Sequence, residues 1–206
     1  MLKMKKRFAL ILALIGWFAL IGQFWLSIEN RVTNIPEAVA RFFTYFTILT
    51  NIIVAVYFTG LYISKRENLG LLHKPGMLTA ITLYIFMVGM VYQVALRHVW
   101  KPQGMQWVVN ELLHTIIPFL VLVYWYLYAV TRPVKYREIF AWAIYPLGYL
   151  GLILARGKIA SWYPYYFVDV NILGMEKALQ NAAILTVAFL AVAALFLFIG
   201  KKLLKR

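Results

Sequence analysis

Residues 8–28 read FALILALIGWFALIGQFWLSI, a stretch with no charged side chain. A helix rises about 1.5 Å per residue, so about 20 apolar residues cross the hydrocarbon of a bilayer. Lys3, Lys5, Lys6 and Arg7 precede the stretch, as cations precede a secretory leader. Its apolar core is too long for a leader, and no small-residue cleavage site follows, so it reads as a retained membrane helix. Working outward, further runs of spanning length lie near 41–63, 77–96, 107–130, 138–156 and 178–200. Loop chemistry separates them: Asn30 to Pro36, Asn68 to Gly76, Lys101 to Gly104, Thr131 to Pro133, and Arg156 to Gly174.

The fold expected is therefore all-α: a polytopic bundle of six transmembrane helices, one membrane domain over residues 1–206 and no soluble one. Composition agrees, with 64% hydrophobic residues and a mean hydropathy of +0.77. A soluble domain of this length needs far more polar surface. No convincing internal repeat is visible. Pro118 and Pro146 interrupt two spans, but not at matching positions as in inverted-repeat carriers.

The formal charge of +14 raises the question of nucleic acid. The cations fall in short clusters between apolar runs, which is the pattern that sets membrane topology, so no nucleic-acid partner is expected. The N-terminus, the 64–76 and 131–137 loops and the C-terminus hold fourteen Lys and Arg. Arg31, Arg41, Arg97, Lys101, Arg156, Lys158 and Lys177 make seven on the other side. This bias places both termini in the cytoplasm. The chain has no cysteine, which excludes disulfides, thiolate metal sites and cysteine nucleophiles. Its three histidines have no zinc-ligand spacing, so neither a metal nor another cofactor is expected. His73 and His98 read as loop or interface residues.

Polar groups inside apolar runs are costly, and their positions carry information. Arg41, Thr44, Thr47 and Asn51 recur at helical spacing on one face of the second span. Such residues serve as interhelical glue as readily as they serve chemistry. Asn110, Glu111 and His114 open the fourth span, with Pro118 one turn on. Glu111 and His114 are three apart, so their side chains can meet. A neutral histidine bonded to a backbone carbonyl is the plainer alternative. Counted along each helix, Thr47 and His114 lie roughly 10 Å inside the bilayer from the same surface, and Tyr92 sits at a similar level. In that layer an imidazole can take the proton of a threonine hydroxyl and return it to a leaving alkoxide. Glu111 or a backbone carbonyl would orient the histidine, and Asn51 and Tyr92 are candidate oxyanion donors. The aromatic segment from Ser161 to Asp169 reads as an interfacial belt or as a lid over a lipid-facing pocket. In the lid reading Trp162 lies over the pocket, and Asp169 pairs with Arg97 or Arg156.

Three segments together resemble one family. They are Arg41-Phe-Phe-Thr-Tyr-Phe-Thr-Ile-Leu-Thr-Asn51, Asn110-Glu-Leu-Leu-His-Thr-Ile-Ile-Pro118, and Tyr145-Pro146 followed by Ser161-Trp-Tyr-Pro-Tyr-Tyr-Phe-Val-Asp169. The family is that of bacterial six-helix membrane proteins related to the eukaryotic androgen-induced and androgen-dependent membrane proteins. In the eukaryotic branch, membership implies an intramembrane hydrolase that cleaves fatty acid esters of hydroxy fatty acids with a threonine and a histidine. The resemblance maps the threonine onto Thr47, after Tyr45, and the histidine onto His114, before Thr115 and Pro118-Phe119. It implies a multi-pass protein of the bacterial inner membrane, with membrane lipids as surroundings and a lipid ester as substrate. Two other readings of the same residues stand beside this one. One is a non-enzymatic lipid- or partner-binding protein in which they are packing glue. The other is a proton-coupled carrier with Glu111 and His114 as relay.

Overall fold

The computed structural model describes residues 2–64, 74–128 and 134–203, so His73 lies outside the described residues. Among the described residues there are helices and no strands. Six of the described helices are long and apolar enough to cross a membrane: Lys3–Glu29, Phe46–Ile63, Met77–Leu96, Gly104–Tyr128, Glu138–Ala160 and Met175–Leu203. The chain forms two compact units, Met1–Pro133 and Val134–Arg206.

The first unit contains α1 (Leu2–Glu29), α2 (Ile35–Phe42), α3 (Phe46–Ile63), α4 (Met77–Val91), α5 (Gly104–Glu111) and α6 (Ile117–Tyr128). Its core joins Leu12, Val54, Phe58, Ile85, Leu113 and Tyr124. α1 packs closely on α3, because a Cβ at Gly16 would stand 3.2 Å from the Ala55 Cβ. Small residues at such crossings let backbones approach where lipid supplies no hydrophobic drive. Polar contacts fix the register. Trp17 Nε1 donates to Thr59 Oγ1 at 3.1 Å, and Lys6 Nζ donates to the Ser64 carbonyl at 2.8 Å beside the C-terminal end of α3.

The second span differs from the expectation of one helix over 41–63. Arg41 belongs to α2, Phe43 to Tyr45 form a break, and the spanning helix begins at Phe46. The cause is a separate helix start upstream. Asn34 Oδ1 accepts the Glu37 N–H at 2.9 Å, and Pro36 stands at the N-terminal positions. Arg41 pairs with Glu37 at 2.8 Å one turn back. Arg41, Thr44, Thr47 and Asn51 therefore do not share one helix face. Thr44 closes the break instead, its Oγ1 donating to the Ala40 carbonyl at 2.7 Å.

Among the described residues two π-helical turns occur, one ending the third span at Tyr92–Leu96 and one inside the fourth at Leu112–Ile116. The second links α5 to α6, and the Ile117 N–H bonds to the Leu112 carbonyl. Pro118 follows, and it has no N–H to return to the preceding turn. The helix thus widens just ahead of the proline. α4 approaches closely here, since a Cβ at Gly89 would lie 3.1 Å from both the His114 carbonyl oxygen and the Pro118 Cβ.

The second unit contains α7 (Glu138–Ala160), a 3-10 turn (Tyr166–Val168), α8 (Val170–Leu173) and α9 (Met175–Leu203). Pro146 lies inside α7. The helices run further than the expected 138–156 and 178–200, so Arg156, Lys158 and Lys177 are on helix ends rather than in a loop. Ser161 turns the chain in the left-handed region, at φ 48°. The Tyr163 ring then packs against Gly157, where any Cβ would overlap it. Asn171 Nδ2 donates to the Ser161 carbonyl at 3.0 Å, and Asn181 Nδ2 to the Phe167 carbonyl at 2.8 Å. Trp162 sits 5.5 Å from the Arg156 guanidinium carbon. Within its own unit Asp169 makes a local bond and no ion pair with Arg156 among the described residues. Its Oδ1 accepts the Asn171 N–H at 2.9 Å and caps α8.

Candidate active site

Thr47 stands in the first turn of α3, and His114 lies in the π turn before Pro118. Thr47 Oγ1 and His114 Nε2 are 3.3 Å apart. The two meet although the helix-length count behind the shared layer fails for Thr47, because the break at 43–45 resets the start of α3. On its other side, His114 Nδ1 is 3.0 Å from the Asn110 carbonyl oxygen. A carbonyl only accepts, so Nδ1 carries the hydrogen of the neutral ring. Nε2 is then the bare nitrogen, and its lone pair faces the threonine hydroxyl. This is the tautomer a general base requires.

The orienting group is therefore a backbone carbonyl. Glu111, the other candidate, is engaged elsewhere. Its Oε1 is 3.0 Å from Arg97 Nη2, and its Oε2 accepts from Thr115 Oγ1 at 2.8 Å and Arg97 Nη1 at 3.4 Å. Gln93 completes the ring, accepting from Arg97 Nη1 at 2.9 Å and donating to Thr115 Oγ1 at 3.0 Å. Gln93 and Thr115 come from the two π turns, which face each other. Tyr92 and His114, their immediate neighbours, stack with ring centroids 4.4 Å apart and planes 27° apart. Tyr92 Oη accepts from Asn110 Nδ2 at 2.7 Å. Asn110 thus fixes the imidazole with its backbone and the ring stacked on it with its side chain.

Asn51, expected as an oxyanion donor, has no donor to spare. Nδ2 gives one hydrogen to the Thr47 carbonyl at 2.8 Å and one to the Leu113 carbonyl at 3.3 Å. The π turn explains the second bond. The Ile117 N–H has moved to Leu112, and Pro118 offers none, so Leu113 loses its helical donor and Asn51 replaces it. Asn51 ties the α3 turn that carries Thr47 to the π turn that carries His114. Its Oδ1 and that of Asn110 are buried without hydrogen-bond partners among the described residues.

Trp162 and Asp169 belong to the second unit, with the local contacts given above. Spacing alone did not reveal Gln93, Thr115, Gly89 or the two-handed role of Asn110. The available signals were Thr115 one turn after Glu111 and Pro118 one turn after His114. Thr47 is 7% exposed and His114 is half-buried. Phe43, Ile116 and Phe119, beside the pair in sequence, are exposed. Among the described residues no three His, Asp or Glu side chains gather as a metal site.

Six apolar spans of this length make the chain an integral, multi-pass membrane protein. No protein-family model matches the sequence, and no curated protein or solved structure matches it either.

Proposed function

We propose that the protein is an intramembrane lipid-ester hydrolase with Thr47 as nucleophile and His114 as general base. The observation that carries this reading is the 3.3 Å approach of Thr47 Oγ1 to the unprotonated Nε2 of His114. Such contacts are often long without substrate and tighten in the complex. His114 takes the hydroxyl proton as Oγ1 attacks the ester carbonyl. The imidazolium then protonates the departing alkoxide, leaving an acyl-threonine. Water, deprotonated by the same nitrogen, attacks the acyl carbon. The fatty acid leaves and the proton returns to Thr47. Negative charge develops at the N-terminal end of the 18-residue α3, where the helix dipole favours it. The Lys and Arg bias puts both termini in the cytoplasm, and the substrate comes sideways from the outer leaflet.

The carrier reading has less support, since the Glu111 carboxylate bonds to Arg97 and Thr115 and makes no hydrogen bond to His114. The test is hydrolysis of a long-chain acyl ester by purified protein in detergent. The expected outcome is turnover that falls to background in Thr47→Ala and by about a hundredfold or more in His114→Ala. Wild-type rates in both variants, or no turnover by the intact protein, would leave packing as the role of these residues.

A further inference from the structure

The contact between Asn110 and Tyr92 leaves donors over. The amide carries two hydrogens and the hydroxyl one, and the single bond between the two groups uses one of the three. The other two have no acceptor among the described residues, and the count is the same for either orientation of the amide. Tyr92 is 2% exposed and Asn110 1%, so bulk water is no substitute. A buried donor without an acceptor is costly.

Other buried donors of the first unit are spent. Asn51 gives both hydrogens to backbone carbonyls, Thr82 Oγ1 gives to the Leu78 carbonyl at 2.8 Å, and Trp125 Nε1 gives to Thr79 Oγ1 at 2.9 Å. The Tyr124 hydroxyl also lacks a partner, but its ring packs between Phe8 and Phe58 in the core. The spare donors of Asn110 and Tyr92 lie instead at the imidazole. Tyr92 stacks on the His114 ring, and the Asn110 carbonyl meets its Nδ1. An ester carbonyl must come beside that ring for Thr47 to attack it.

We infer that the Asn110 amide and the Tyr92 hydroxyl are catalytic residues that donate to the carbonyl oxygen of the ester, the role that spacing offered to Asn51. This inference rests on the hydrolase reading and deepens it. As Thr47 Oγ1 bonds to the carbonyl carbon and its proton passes to His114 Nε2, the π pair of the carbonyl moves onto oxygen. The donors bond the resulting anion more strongly than the neutral carbonyl, which lowers the barrier. The pair then re-forms the carbonyl as the alkoxide leaves with the proton from Nε2.

The experiment compares 4-nitrophenyl dodecanoate with its thiono analogue, in which C=S replaces C=O, with rates taken above the Thr47→Ala background. The two esters share acyl chain and leaving group and differ in the atom that takes the charge. Sulfur accepts hydrogen bonds weakly. Wild type is expected to favour the oxygen ester in kcat by about a hundredfold, the scale of one oxyanion donor. Tyr92→Phe keeps the ring on His114 and is expected to lower kcat for the oxygen ester by about a hundredfold, with little change in KM or in the thionoester rate. Asn110→Leu keeps the backbone carbonyl that orients His114 and is expected to show the same selective loss, which gives a reading should Tyr92→Phe fail to fold. Equal turnover of both esters by wild type overturns the inference while leaving the hydrolase standing. So does a folded variant with wild-type kcat, or one that slows on both esters equally, as a merely structural role would give. No turnover of the oxygen ester by wild type overturns both.

Discussion

The layer around His114 and the loop between α7 and α9 are both pinned by asparagines, in two different ways. In the first unit Asn51 and Asn110 are 1% exposed, and each reaches from one spanning segment to another. In the second, Asn171 and Asn181 return to carbonyls of the connecting loop, and Asn171 is exposed. The loop contacts close a turn that Ser161 and Gly157 have already shaped. The contacts around His114 exist because the helices there are irregular. A π turn and a proline strip Leu113 of its donor, and Asn51 supplies one. π turns are uncommon and recur at functional sites. Here they bring Tyr92 onto His114 and Gln93 onto Thr115 across the same gap.

The contrast can be broken by substitution. The larger effect is expected at Asn51→Leu, which removes two donors and leaves the Leu113 carbonyl unpaired. Stability in detergent should fall by about 1–3 kcal/mol, and turnover should fall with it as Thr47 and His114 lose their tie. Thermal unfolding and ester hydrolysis on the same preparation check both. The smaller effect is expected at Asn171→Ala, whose exposed contact water can replace, with a cost of about 0.5 kcal/mol or less. If Asn171→Ala destabilises as much as Asn51→Leu, the distinction between the two regions is wrong.

The six spans were legible because the length and apolarity of a segment report directly on the bilayer. The start of the second was not. Phe43, Thr44 and Tyr45 continue the apolar run without glycine or proline, so nothing local marks the break. The signal lay upstream, where Asn34, Pro36 and Glu37 begin a separate short helix. His114 was legible because an imidazole inside an apolar run is rare, whereas threonines recur through the spans and Thr47 was singled out by its counted depth and by the resemblance. The group behind the histidine was not, because spacing allows Glu111 to meet either His114 or Arg97, and only the π turn decides. Its place in an apolar run makes Asn51 a candidate donor to substrate, yet its hydrogens answer a deficit created by backbone geometry. Sequence spacing presumes regular helices, and the site is built where they are not regular.

The central claim is that Thr47 Oγ1 is made nucleophilic by His114 Nε2. Its most direct test is to treat the purified protein with a long-chain fluorophosphonate and locate the adduct by peptide mass spectrometry. The account predicts one adduct, on Thr47, absent from His114→Ala under the same conditions. An adduct on a different hydroxyl, or equal modification of Thr47 without the imidazole, would contradict it.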